Sequence, residues 1–204
     1  MNPLKSVGGT IIAGFVLALI IVLATKGDHM VAGMTAQSLI IWLHVLAGIT
    51  WIGLLYYFNF VQVPALGEAA ADADGPGPAG ISKYVAPRAL SWFRWGALVT
   101  WLSGAAFLLH KGQFANAFML GLNTDPVNQY AMTIGVGAWL GTFMLFNVWV
   151  LIWPNQKKVL GMVEASADEI AKAKNTAFLA SRSNTLMSIP MVMSMVGAGH
   201  GWFM

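Results

Sequence analysis

The sequence predicts an all-α integral membrane protein: one domain over residues 1–204, built as a bundle of five transmembrane helices. Three observations carry that prediction. Of the 204 residues, 57% are hydrophobic and only 9% are charged, where a soluble domain carries about 25% charged residues. Mean hydropathy is +0.67. Five apolar segments are each long enough to cross a hydrocarbon core of roughly 30 Å at about 1.5 Å per residue. An ordinary water-facing surface cannot be made from so few charges, so a soluble globular domain is excluded.

The first span covers residues 7–25, an unbroken apolar run after MNPLKSVGGT. It is long enough to span and no A-x-A cleavage site follows, so it reads as a retained helix rather than a signal peptide. The second span covers residues 37–63 and is expected to stop at Pro64, because proline has no N–H to continue a helix. Residues 68–80, EAAADADGPGPAG, are small, acidic and rich in Pro and Gly, and read as a flexible loop. The third span covers residues 89–109. Residues 112–129 are mildly apolar, with Phe114, Phe118 and Leu120, and suit a short interfacial helix or a segment packed over the bundle. The fourth span covers residues 130–153 and is expected to stop at Pro154. Ser166 and Glu169 match the capping-box pattern, so the fifth helix should begin near Ser166, ahead of its span at residues 176–199. Pro190 should kink that helix and free the carbonyl of Leu186, for Thr185, Ser188 or a neighbouring helix to satisfy.

Orientation follows from Lys and Arg. One side holds Lys5, Lys83, Arg88, Arg94, Lys157, Lys158, Lys172, Lys174 and Arg182; the other holds only Lys26 and Lys111. Nine against two places the N-terminus in the cytoplasm and the C-terminus outside. Trp92, Trp95, Trp149 and Trp153 then suit an inner aromatic belt, and Trp42 and Trp202 an outer one. The net charge of +3 and pI near 9.3 fit a membrane protein. No basic patch with interleaved aromatics points to nucleic acid.

All four histidines fall toward the outer face in this topology. His44 is the most informative, roughly 8 Å below the outer boundary of the second span. An ionisable side chain at that depth is costly and marks a candidate functional site. Its helical neighbours Ala47, Gly48 and Trp51 leave room beside the ring. Side chains lean toward their helix N-terminus, so His44 leans outward, while His110 and His200, on helices running the other way, lean inward. Two imidazoles converging from antiparallel helices are what a b-type haem needs for axial ligation. Small residues at the same level offer a slot: Ser103, Gly104 and Ala105; Gly135, Gly137 and Gly141; Gly197, Ala198 and Gly199. His44 and His200 are therefore the expected ligands of a haem iron, with His110 as a third candidate and His29 as a solvated loop residue. The plainer alternative stands beside this one: a buried histidine also serves by bonding a carbonyl, and small residues are what helix packing in lipid uses. Met187, Met191, Met193 and Met195 are weaker candidates as metal ligands, since Met is also a common gap-filler.

A second polar group, Asn59, Gln62, Arg94, Asn147, Arg182 and Asn184, lies toward the cytoplasmic side. Inter-helix hydrogen bonds and snorkelling to phosphates account for it best; a polar cavity or anion site is the sharper alternative. The sequence has no cysteine, which excludes disulfides, iron–sulfur clusters and a haem attached through C-x-x-C-H. The eight acidic residues lie in or near loops, so no mid-membrane carboxylate relay is expected, and no catalytic triad or phosphate loop is visible.

Four stretches together carry a family resemblance: WLHVLAGITWIGLLYYFNFVQVP around His44, APRALSWFRWGALVTWLSG from Ala86, FNVWVLIWPNQKKVLG from Phe146, and ASRSNTLMSIPMV from Ala180. The chain resembles the membrane domain of the bacterial membrane-bound urate oxidase (urate hydroxylase) family over roughly a third of its length, in four of the five spans. The spacing of His44, Gly48 and Trp51, H-x-x-x-G-x-x-W, is also similar to small membrane haem proteins such as the membrane-type protoporphyrinogen oxidase, where the corresponding histidine is a haem ligand. These resemblances imply a membrane bundle with a redox cofactor near its outer face and a haem ligand at His44; together with the topology, the expected haem b site of this multi-pass bacterial inner-membrane protein comprises His44, His200, His110, Gly48 and Trp51. Family members continue into a C-terminal cytochrome c domain, whereas this sequence ends at Met204. The expected function is thus electron transfer with a separate cytochrome c or a larger membrane complex. A cofactor-free accessory subunit of a respiratory or photosynthetic complex is the alternative, and oxidation of urate follows from resemblance alone.

Overall fold

The computed structural model describes residues 2–26 and 35–201, and all regular structure among them is helical. His29 and Trp202 lie outside the described residues. The chain divides into two compact units, Met1–Leu39 and Ile40–Met204.

In the first unit a 3-10 turn, Pro3–Lys5, leads into helix α1, Val7–Lys26. None of its 18-residue apolar window is buried within the protein. A helix apolar on every face has no aqueous side, so lipid is the environment that suits it. Helix α2, Ala36–Tyr57, begins in this unit and runs into the next.

The second unit continues through α3 (Val63–Ala71), α4 (Ala86–His110), α5 (Phe114–Phe118), α6 (Gln129–Phe146), α7 (Trp153–Val159) and α8 (Ala167–His200). Three helical stretches are long and apolar enough to cross a membrane: Val7–Ala24, Ala36–Ala71 and Gln129–Val159. Helices α4 and α8 have 25 and 34 residues but are less apolar. The reason is visible in what they bury: Thr100 and Ser103 on α4, and Asn184, Ser188 and Ser194 on α8. Outward the unit presents apolar side chains such as Phe60, Leu109, Leu186 and Ile189, each more than half exposed, as a lipid-facing surface requires.

Two expected stops are corrected. The second span does not end at Pro64, nor the fourth at Pro154. Each continues through a widened π-helical turn, Phe58–Gln62 and Asn147–Ile152, with the proline two residues beyond it. A third such turn, Ile81–Val85, precedes Pro87 in the same way, so residues 81–85 extend the third helix backward. Wider turns relieve the clash of a proline ring with the preceding turn and re-route the bonds it cannot make. The loop expected at residues 68–80 is correspondingly shorter, because α3 runs to Ala71. A third correction concerns Pro190. The Thr185 and Ser188 hydroxyls donate to Ser181 O and Thr185 O, not to Leu186, and α8 carries Pro190 inside an unbroken helix.

The core lies where α2, α4, α6 and α8 meet. Trp51, Leu55, Phe58, Phe93, Met144 and Val148 form its centre, with Phe58 edge-on to Phe93 at 5.4 Å. Small residues set the approach: a Cβ on Gly96 would stand 3.4 Å from the Trp51 backbone nitrogen, and one on Gly137 3.2 Å from Ser194 Cβ. Helix α5 packs over α6, with Ala117 buried and the Trp139 indole donating to Phe118 O at 3.0 Å. Residues 112–129 therefore cover the bundle. The capping box holds as expected: Glu169 N donates to Ser166 Oγ, and Ser166 N to Glu169 Oε2. At the far end Gly201, at φ 70°, closes α8 in the left-handed conformation.

Two outcomes follow. Gly135→Ala would drive a Cβ into the Ala117 carbonyl; it should destabilise the bundle by about 1–3 kcal/mol, read as a lowered thermal midpoint in detergent. The hydrogen bonds from Ser166 and then the charge of Lys158 hold the Glu169 carboxyl below its ordinary value. A depressed pKa contributes stability above the unfolded value, about 4.3, and loses it as pH falls through the folded one. Amide exchange in the first turn of α8 should therefore accelerate below about pH 4, and Glu169→Gln should remove that pH dependence.

Candidate functional site

His44 projects from α2 toward α4, where its Nδ1 lies 2.8 Å from the carbonyl oxygen of Thr100. A carbonyl oxygen only accepts, so Nδ1 carries the proton and the neutral ring keeps its lone pair on Nε2. The Ser103 hydroxyl donates to the same carbonyl at 3.0 Å and to Val99 O at 2.6 Å. Gly104 makes room for the ring: a Cβ there would stand 2.9 Å from His44 Cε1. The histidine is thus fixed in tautomer and orientation by backbone, as metal-bound histidines are.

His44 forms part of the wall of a cavity of about 570 Å³ among α2, α4, α6 and α8. That volume lies within the range of small-molecule and cofactor sites. Gly104, Ala105, Ala138, Gly141 and Gly199 are small residues in its wall, and Met191 and Met195 line it as well. His200, at the end of α8, lines the same cavity. Its Nδ1 bonds Val196 O at 2.9 Å. Trp51 also forms wall; it is 2% exposed, and its indole Nε1 has no hydrogen-bond partner among the described residues. A buried donor without a partner calls for an acceptor from elsewhere.

The structure brings together His44, His200 and Trp51 and leaves two expected residues aside. His110 ends α4, is exposed, and is not part of the cavity wall. Gly48 faces Thr100 Cγ2, 3.7 Å from where its Cβ would be, and serves helix packing rather than the cavity. Among the small residues, Gly135 seats α5 and Gly137 seats α8. Sequence reasoning missed Thr100, Tyr130 and Lys111. The first acts through its backbone carbonyl, which any residue type supplies. The other two line the cavity, and the sequence signal for Lys111 was its place as one of only two basic residues on the outer side.

The residues present are compatible with a haem: a histidine whose Nδ1 is bonded to backbone and a second histidine line a cavity with mostly apolar and small residues around them. No group of three or more His, Cys, Asp or Glu residues is assembled among the described residues, so a bare-metal centre has no such ligand set there.

Of the second polar group, the asparagines form inter-helix bonds, while the buried Gln62 Oε1 has no hydrogen-bond partner among the described residues. Asn59 donates to Leu55 O and Ser181 Oγ, both at 2.8 Å. Asn147 donates to Asn184 Oδ1 at 2.8 Å, and Asn184 to Met144 O at 3.0 Å. Arg94 stacks on Trp153 at 3.7 Å, and Arg182 stands over Phe178.

Comparison with known proteins gives one family. The model described as "Urate oxidase N-terminal" matches residues 29–124 and 118–204. No curated protein and no solved structure matches the chain.

Gly104→Ala tests the seating of the imidazole. The added methyl should displace the ring from Thr100 O and cost about 1–3 kcal/mol. The ¹⁵N chemical shifts of His44 should then report a mixture of tautomers where the native protein shows one.

Proposed function

The chain belongs to the urate oxidase N-terminal family, and from that premise we propose that it is a haem b-binding membrane redox protein. It exchanges electrons with a separate cytochrome c or a larger electron-transport complex. In this proposal α1, α2, α4, α6 and α8 are five spans of a bacterial inner membrane, with the N-terminus cytoplasmic and the C-terminus periplasmic. The nine-to-two distribution of basic residues supports that orientation.

One observation carries the proposal: a histidine within a membrane-crossing helix has Nδ1 committed to the Thr100 carbonyl and lines an apolar cavity of cofactor size. His44 and His200 are the residues that would hold the haem. The Thr100 carbonyl keeps the His44 tautomer and raises the basicity of the ligating nitrogen. The apolar wall would keep water from the bound group. When bound, a haem supplies a reversible one-electron couple whose potential follows its axial ligands and burial. The family's description names urate oxidase, which makes urate the first electron donor to try.

The visible spectrum of the purified chain loaded with haem decides. Native protein should show Soret and α bands of a histidine-ligated haem, and His44→Ala should weaken haem binding by about tenfold or more. Bands unaffected by His44→Ala would overturn the assignment. An absent chromophore, with a stoichiometric membrane partner, would favour the accessory-subunit alternative.

A further inference from the structure

Two recesses meet at the end of α4. The larger is the apolar cavity that His44 lines, and the smaller, of about 320 Å³, is walled by Lys111, Gln113, Asn128 and Tyr130. Lys111 and Tyr130 belong to both. The combined space is therefore divided by polarity, with an apolar body and a polar outer compartment that share one ammonium and one phenol.

Lys111 is held at that boundary. Its Nζ stands 5.3 Å from the centre of the Phe107 ring and 5.5 Å from that of Tyr130, and attraction to two ring faces keeps the charge over the opening. Among the described residues no carboxylate lies within ion-pair distance of Lys111; the ion pair they contain, Lys158–Glu169, is elsewhere. A cation with no carboxylate partner among the described residues, at the rim of an apolar cavity, supplies what an amphipathic anion lacks there.

The geometry points to Lys111 as an anion clamp: with Tyr130 it binds the carboxylate, or an equivalent oxyanion, of a planar molecule whose apolar body fills the cavity beside His44. The inference rests on the redox reading only for the identity of that molecule. A haem offers such carboxylates in its propionates, whereas a free planar anion such as urate would offer the ammonium only a charge delocalised over its ring oxygens and nitrogens, without an apolar body. The clamp acts on the edge of the ligand and not on the iron. It should therefore alter affinity while leaving axial ligation alone.

Full-length protein in detergent is titrated with three probes: hemin, hemin dimethyl ester, and urate by equilibrium dialysis. Native protein should bind hemin about tenfold tighter than the ester, the worth of one charged hydrogen bond. Lys111→Ala should bind both alike with an unchanged Soret position, and Lys111→Arg should keep most of the preference. An equal affinity of the native protein for hemin and ester would overturn the clamp for haem, as would a preference that survives in Lys111→Ala. If neither porphyrin gives a His44-dependent Soret band, the redox reading falls on its own and the urate arm decides. Urate binding that weakens about tenfold in Lys111→Ala supports a clamp for a free anion. Urate binding that is absent, or indifferent to Lys111, overturns it.

Discussion

His44 and Thr100 sit on different helices, and the 2.8 Å bond between imidazole and carbonyl is the contact on which the site depends. It meets three requirements together. It gives a polar group within an apolar span a partner, without which burial would be expensive. It fixes which ring nitrogen carries the proton. It also ties α2 to α4 at the level where both turn small residues to each other. The bond can form because Gly104 lets the ring lie against α4, and because the Thr100 hydroxyl folds back on Gly96 O at 2.7 Å. The carbonyl of Thr100 is thereby left to face the imidazole and the Ser103 hydroxyl.

The same rule governs the opposite end of the bundle. Backbone groups in an apolar environment must be satisfied from within the protein, and three prolines threaten that condition. The chain answers with π-helical turns before Pro64, Pro87 and Pro154. It then uses amides near these turns to reach carbonyls and neighbouring helices. Asn59 lies in one such turn and joins α8 through Ser181; Asn147 opens another and joins α8 through Asn184. The two amides explain why α8, the least apolar of the long helices, is the one around which the others gather. Its buried Asn184 and Ser188 are there to be bonded, the latter also by Tyr56 OH at 3.0 Å.

What the sequence made legible follows from these constraints. Apolar length revealed where the long helices lie, because hydropathy averages over many residues. The Ser166 cap was legible because a capping box is a local pattern. The ends at Pro64 and Pro154 were not, because whether a proline stops a helix or only widens it depends on tertiary partners for the freed carbonyls. His44 stood out by its depth in the span, and Trp51 by its spacing from it. His110 drew attention by residue type and position, yet one residue further on it is Lys111 that faces the cavity. Near a helix end the turn geometry decides which side chain points inward, and composition cannot report that. Thr100 was invisible in principle, since its contribution is a backbone atom.

A bundle that binds its ligand between helices must keep a gap where lipid-embedded helices otherwise close on small residues. Here the small residues do two different jobs. Gly96, Gly135 and Gly137 are filled by neighbouring backbone or side chains, while nothing lies within 4 Å of a Cβ built on Gly141 or Gly199. The first set brings helices together, and the second leaves a hollow between them. Helix α5 covers part of that hollow, with Phe118 in its wall, and Lys111 and Tyr130 stand at its polar margin. The bundle thus has a closed, hydrogen-bonded end built on amides and an open end lined by glycines and two histidines. A protein needing only to pack would gain stability by filling the open end. The gap stands beside an oriented imidazole and an indole N–H with no partner among the described residues, and that juxtaposition is what supports the proposed site.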